Sequence, residues 1–102
     1  MTGYREVDPK QAANMIRSRD FVVLDKRDVT SYQQGHINGA MRAHDGLVES
    51  MIKRRDHDRP ILIYCYKGNT SKDLADLLAR FGFKEVYSMS GGYTEWKRIH
   101  ND

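Results

Sequence analysis

The amino-acid sequence predicts an α/β domain built on a parallel sheet with helices on both faces. Two short apolar runs, Phe21-Val22-Val23-Leu24 and Ile61-Leu62-Ile63-Tyr64, are continuous rather than alternating, as strands buried on both faces are. Helical patterns lie between and around these runs, and alternating strands and helices imply right-handed crossovers between parallel strands. The chain of 102 residues, 39% hydrophobic and 30% charged, has the size and balance of one domain, residues 1–102, around one core.

Each element follows in order. Tyr4 to Val7 reads as a short strand, and Asp8-Pro9 starts a helix, with Asp8 as cap and Pro9 at the first helical position. Ala12, Ala13, Met15 and Ile16 then face the core. Phe21 to Leu24 forms the next strand, closed by Asp25, and Ala40 to Arg42 another short one. The run Lys53-Arg54-Arg55-Asp56-His57-Asp58-Arg59 mixes signs between a helix-like stretch and Pro60, so it reads as a solvated loop. Ile61 to Tyr64 should be a neighbour or near-neighbour of the Phe21 strand in a parallel sheet. Leu74, Leu77, Leu78 and Phe81 fall at i, i+3, i+4 and i+7, one stripe of a helix, with Gly82 where a C-terminal cap belongs. Val86 to Ser88 is a strand, Gly91-Gly92 a turn, and Tyr93 to Ile99 a last helix with Trp96 facing inward.

Composition excludes several functions. The net charge of +3 is small and its basic residues are interspersed with acidic ones, so nucleic acid is not expected as a partner. No apolar run reaches the length of a membrane span, and Met1 to Val7 has no signal-peptide pattern. A single cysteine cannot make an internal disulfide or a thiolate metal cage, so a cytoplasmic location is expected, with no metal and no cofactor. A dithiol redox role fails for want of a second cysteine.

That cysteine, Cys65, ends an apolar strand and precedes Tyr66-Lys67-Gly68-Asn69-Thr70-Ser71 and a helical pattern. A helix N-terminus behind a short Gly-containing loop aims N–H groups and a positive dipole end at the sulfur. Such surroundings favour the thiolate over the buried structural cysteine that a free thiol often is. The N–H groups of residues 66 to 71 can ring the sulfur as an anion nest. Lys67 can meet an anionic substrate or stand in solvent, and Gly68 suits a positive φ or a close backbone approach. Ser71 is expected to cap the following helix, whereas Thr70 can cap or donate its hydroxyl to the site. Asp25 and Arg27 are expected to form an ion pair or to cap nearby loops and helices at the same sheet edge, and so to brace the loop. His36 reads as a turn histidine held by backbone groups, and Trp96, Tyr93 and Phe81 as core packing.

Four blocks taken together carry a family resemblance: Val23-Leu24-Asp25-Lys26-Arg27-Asp28 with Tyr32; Gly35-His36-Ile37-Asn38-Gly39-Ala40; the cysteine loop; and Val86-Tyr87-Ser88 through Gly91-Gly92-Tyr93 to Trp96. In this order and spacing the chain resembles the single-domain rhodaneses, the thiosulfate sulfurtransferases, and most of all their short bacterial glycerol-operon type. Lys26 and Asn38 depart from the family pattern, where an apolar or small residue and a proline are usual. The resemblance implies a five-stranded parallel sheet and a persulfide on Cys65. It also implies thiosulfate as donor, cyanide or another thiophile as acceptor, and substrate contact along Tyr66, Lys67, Gly68, Asn69, Thr70 and Ser71. A persulfide carrier serving a protein acceptor shares this chemistry, and a non-catalytic module of the same fold would require an unreactive Cys65. A phosphatase or arsenate reductase would need an arginine at the end of the loop, where Thr70 and Ser71 stand instead.

Overall fold

The computed structural model describes residues 3–100, so Met1 and Thr2 of the N-terminal reading, and Asn101 and Asp102, lie outside it. Five parallel strands form one sheet in the order β1-β5-β4-β2-β3, where β1 is Tyr4–Val7, β2 Val22–Asp25, β3 Met41–Arg42, β4 Ile61–Tyr64 and β5 Val86–Met89. The helices are α1 (Pro9–Ser18), α2 (Val29–Gln34), α3 (Asp45–Arg54), α4 (Thr70–Arg80) and α5 (Gly92–His100). Among the described residues no helix is long and apolar enough to cross a membrane.

Period-two alternation along β4 divides the core between the two faces of the sheet. Ile61 and Ile63 join Leu24, Leu74, Leu78 and Phe83 on one side, while Leu62 and Tyr64 join Val7, Ala12, Val23 and Met89 on the other. Both apolar runs therefore pair as expected, Val22 with Ile61 through Asp25 with Tyr64. The second strand begins one residue later than the sequence suggests, at Val22, while Phe21 packs at a tilt against Tyr87.

Asp8 caps α1 as expected, accepting from Gln11 N–H at 2.8 Å, and Gln11, which carried no expectation, completes a capping box by accepting from Asp8 N–H through Oε1 at 3.0 Å. Ala12 and Ala13 are buried, and Met15 and Ile16 pack against the same cluster. The short helix α2 carries no strong periodic signal; Asp28 caps it by accepting from Ser31 N–H at 2.7 Å. Helix α3 extends into the charged run and ends at Arg55 in the left-handed conformation. Arg59 and Asp58 beyond it pair in solvent with Asp20 and Lys84.

The apolar stripe assigned to α4 is corrected. Leu74 and Leu78 are buried, but Leu77 and Phe81 are 40% and 48% exposed, and the inward face is Ser71, Leu74, Ala75 and Leu78. Both stripes share the two leucines. Hydrophobicity favours the larger pair, whereas close approach of α4 to the sheet favours the smaller. Gly82, at φ +98°, closes the helix in a Schellman turn, its N–H donating to Ala79 O at 3.0 Å and Phe83 N–H to Leu78 O at 3.2 Å. Phe83, not Phe81, thereby enters the core.

Candidate functional site

In register, Asp25 and Tyr64 end neighbouring strands, so the residues after them open on the carboxyl edge of the sheet, where such folds place their ligands. Cys65 is the first residue of the loop between β4 and α4, and only 2% exposed. Its Sγ accepts from Gly68 N–H at 3.2 Å and Ser71 N–H at 3.3 Å, and lies 3.4 Å from Ser71 Oγ.

The loop takes this shape because its carbonyls are tied off on the other side. Tyr93 N–H donates to Cys65 O at 2.8 Å and Thr94 N–H to Tyr66 O at 3.1 Å, so the first turn of α5 holds two carbonyls away from the sulfur. Gly92 makes this approach possible, since a Cβ there would lie 2.4 Å from Tyr66 O and 2.6 Å from Cys65 O. Gly68 adopts φ +95° and passes Gly91, whose N would be 3.0 Å from an added Cβ. Both readings of Gly68 thus hold together, a positive φ and a close approach.

Burial pushes the Cys65 thiol up. Hydrogen bonds from the Ser71 and Thr70 hydroxyls and the Ser71 and Gly68 N–H groups outweigh it, leaving a pKa of about 7. Thiolate therefore predominates above that value and thiol below it. Alkylation of Cys65 by a small uncharged reagent is expected to accelerate with rising pH through one midpoint at about 7 and then level off. A midpoint at the ordinary cysteine value of about 8.5 would show that these hydrogen bonds do not hold the thiolate.

Two expectations for the loop are narrowed. Of the N–H groups of residues 66 to 71, those of Gly68 and Ser71 make the hydrogen bonds to sulfur. Ser71 does not cap α4: its N–H donates to Cys65 Sγ, and its fully buried hydroxyl meets Cys65 Sγ and Ser88 Oγ. The reason is that the sulfur itself takes the acceptor place at the helix start, and Asn69 at the N-cap makes no side-chain cap bond. Thr70, Lys67 and Asn69 are exposed. Tyr66 reaches sideways, donating its phenol to Asp28 Oδ2 at 2.7 Å and meeting Ser31 Oγ at 2.9 Å.

Of the two roles open to Asp25 and Arg27, the ion pair is the one present, and it is buried. Arg27 Nη2 lies 2.7 Å and Nε 2.9 Å from the Asp25 carboxylate, and Nη2 also donates to Gly35 O at 2.6 Å. A third member escaped the sequence reading: Tyr64 OH donates to Asp25 Oδ2 at 2.6 Å and accepts from Ile37 N–H at 3.0 Å. Burial first, then the bond to Asp25, raises the Tyr64 phenol well above its ordinary pKa. Arg27 also stacks its guanidinium 4.2 Å from the Tyr93 ring centroid.

Of the remaining residues, His36 meets Tyr32 O at 2.8 Å through Nδ1 and stacks on the Tyr32 ring, as a backbone-held turn histidine does. Trp96 is half-buried against the core. Phe81 is exposed, and Tyr93, besides touching the core, lines a cleft with Arg27, Ser31, Gln34, Tyr66 and Lys97, so neither is purely core packing. Among the described residues no group of three or more His, Cys, Asp or Glu could hold a metal ion.

Comparison with known proteins places this geometry among relatives. A family model described as a rhodanese-like domain matches residues 8–99. The thiosulfate sulfurtransferase GlpE of Coxiella burnetii is 36% identical over 97 residues, 95% of this chain and 91% of that protein. The same-named protein of Ectopseudomonas mendocina is 38% identical over 97 residues, 95% of this chain and 88% of that one. The solution structure of a rhodanese-like domain from an Anabaena protein matches with a TM-score of 0.81 at 28% identity, over 93% of this chain and 74% of that one.

Proposed function

The chain belongs to the rhodanese-like domain family, and from that premise we propose that it is a thiosulfate sulfurtransferase working through a persulfide on Cys65. The observation that supports this most is the sulfur held by two N–H groups and a hydroxyl at the start of α4. Every species in such a cycle is an anion, and each is stabilised by the same donors. The thiolate attacks the outer sulfur of thiosulfate, a sulfur–sulfur bond forms as that of thiosulfate breaks, and sulfite leaves with the electron pair. Cyanide or a thiolate acceptor then attacks the terminal sulfur of the persulfide, and Cys65 regains its thiolate. A nucleophile already ionised near neutral pH needs no general base. The unpaired thiol suits a reducing, cytoplasmic setting.

Incubation with thiosulfate is expected to add one sulfur atom to the intact protein, removable by cyanide. An unmodified mass would overturn the reading. Lys67, exposed on the loop, offers a point charge to the sulfonate oxygens of the donor. Lys67→Ala is expected to raise the thiosulfate KM about tenfold while the persulfide still forms, the loss of one charge-assisted contact. An unchanged KM would remove Lys67 from the site.

A further inference from the structure

The mechanism leaves one buried group unused. Ser88 on β5 lies beside Ile63 of β4 in the sheet register, and its Oγ is 2.8 Å from Ser71 Oγ. Ser71 Oγ is in turn 3.4 Å from Cys65 Sγ, and both serines are shut away from solvent, at 0% and 1% exposure. Among the described residues no buried side-chain nitrogen or oxygen lacks a partner, so these hydroxyls satisfy one another in a closed set.

We propose that Ser88 is a positioning residue that turns the Ser71 hydroxyl toward the Cys65 sulfur. Each serine has a single hydroxyl proton. A thiolate can only accept, so Ser71 must spend its proton on the sulfur. The short contact with Ser88 then requires Ser88 to donate to Ser71, giving a chain that runs from Ser88 through Ser71 to the sulfur. When the sulfur is protonated the chain reverses: the thiol donates to Ser71 and Ser71 to Ser88. Ser88 strengthens both chains, but the one ending on an anion gains more, because charge-assisted bonds are the stronger and neighbouring bonds polarise one another. Ser88 therefore favours the thiolate without touching it. This inference rests on Cys65 being the nucleophile proposed above, but its test does not involve sulfur transfer.

The test is Ser88→Ala, read by the pH dependence of Cys65 alkylation. The midpoint is expected to move up, slowing alkylation about two- to threefold below the midpoint and leaving the plateau above it unchanged. In a Ser71→Ala background the same substitution is expected to have no effect, since the route through Ser71 is gone. A midpoint unchanged or lowered by Ser88→Ala overturns the proposal, as does a shift that persists without Ser71. If Ser88→Ala does not fold, the Ser88 Cβ resonance of the wild-type protein is followed instead. It is expected to titrate with the Cys65 midpoint, and a flat response overturns the proposal. Failure to take up sulfur from thiosulfate would sink the sulfurtransferase reading alone, and an unmoved alkylation midpoint would sink this inference alone.

Discussion

Cys65→Ser is expected to abolish sulfur uptake from thiosulfate, with transfer to cyanide falling by about 10^3-fold or more, to the uncatalysed background. The fold should survive, since a serine Oγ can accept from the same Gly68 and Ser71 N–H groups that now reach the sulfur. What is lost is the chemistry. A serine hydroxyl stays protonated at neutral pH, and among the described residues no histidine or carboxylate is hydrogen-bonded to position 65 to take its proton, so the attacking anion never forms. Intact-mass measurement after thiosulfate, thiocyanate release and a thermal unfolding curve together separate loss of the nucleophile from loss of the fold. Sulfur retained by the serine variant would place the reactive group elsewhere.

Asp25→Ala is expected to destabilise the protein by about 3–5 kcal/mol, because it leaves the buried Arg27 guanidinium without its counter-ion. For a domain of this size that lowers Tm by more than about 10 °C. The same change removes the acceptor of the buried Tyr64 hydroxyl. The effect should also reach the site, since Arg27 lies against the ring of Tyr93, whose N–H holds the Cys65 carbonyl. Replacing both partners at once, Asp25→Leu with Arg27→Met, is expected to recover most of the lost stability, because no unpaired charge remains. Thermal denaturation of the single and double variants checks both statements. A double variant as unstable as Asp25→Ala would mean that the surrounding hydrogen bonds to Gly35 and Tyr64, rather than the unpaired charge, set the cost.

Much of this was legible in single segments. The reach of β4, the Asp8 cap and Pro9 start of α1, the Gly82 cap and the position of Cys65 before a helix all follow from signals a few residues long. The pairing of Asp25 with Arg27 was legible for the same reason, two residues apart at a strand end. Tyr64 was harder to see as part of that pair. Its hydroxyl meets Asp25 only because β2 and β4 lie in register, and within its own segment it is simply the last apolar residue of a strand. The α4 stripe failed because hydrophobicity ranks Leu77 and Phe81 above Ala75 and Ser71, whereas the approach of helix to sheet selects the small side chains.

The sequence by itself determined the α/β class, the order of the strands along the chain, and a lone thiol delivered by a buried strand to the start of a helix. These rest on periodicity, capping and turn chemistry, which act over one or two helical turns. Only the tertiary structure decided which groups touch the sulfur. Ser71 faces it rather than capping α4, Ser88 lies against Ser71 from β5, and the Tyr93 and Thr94 N–H groups, given room by Gly92, tie back the carbonyls of Cys65 and Tyr66. The contacts of Ser88 and of α5 join segments distant in the chain, and with the fold of the loop itself they form only when sheet register and backbone packing bring these groups to within a hydrogen bond of one another.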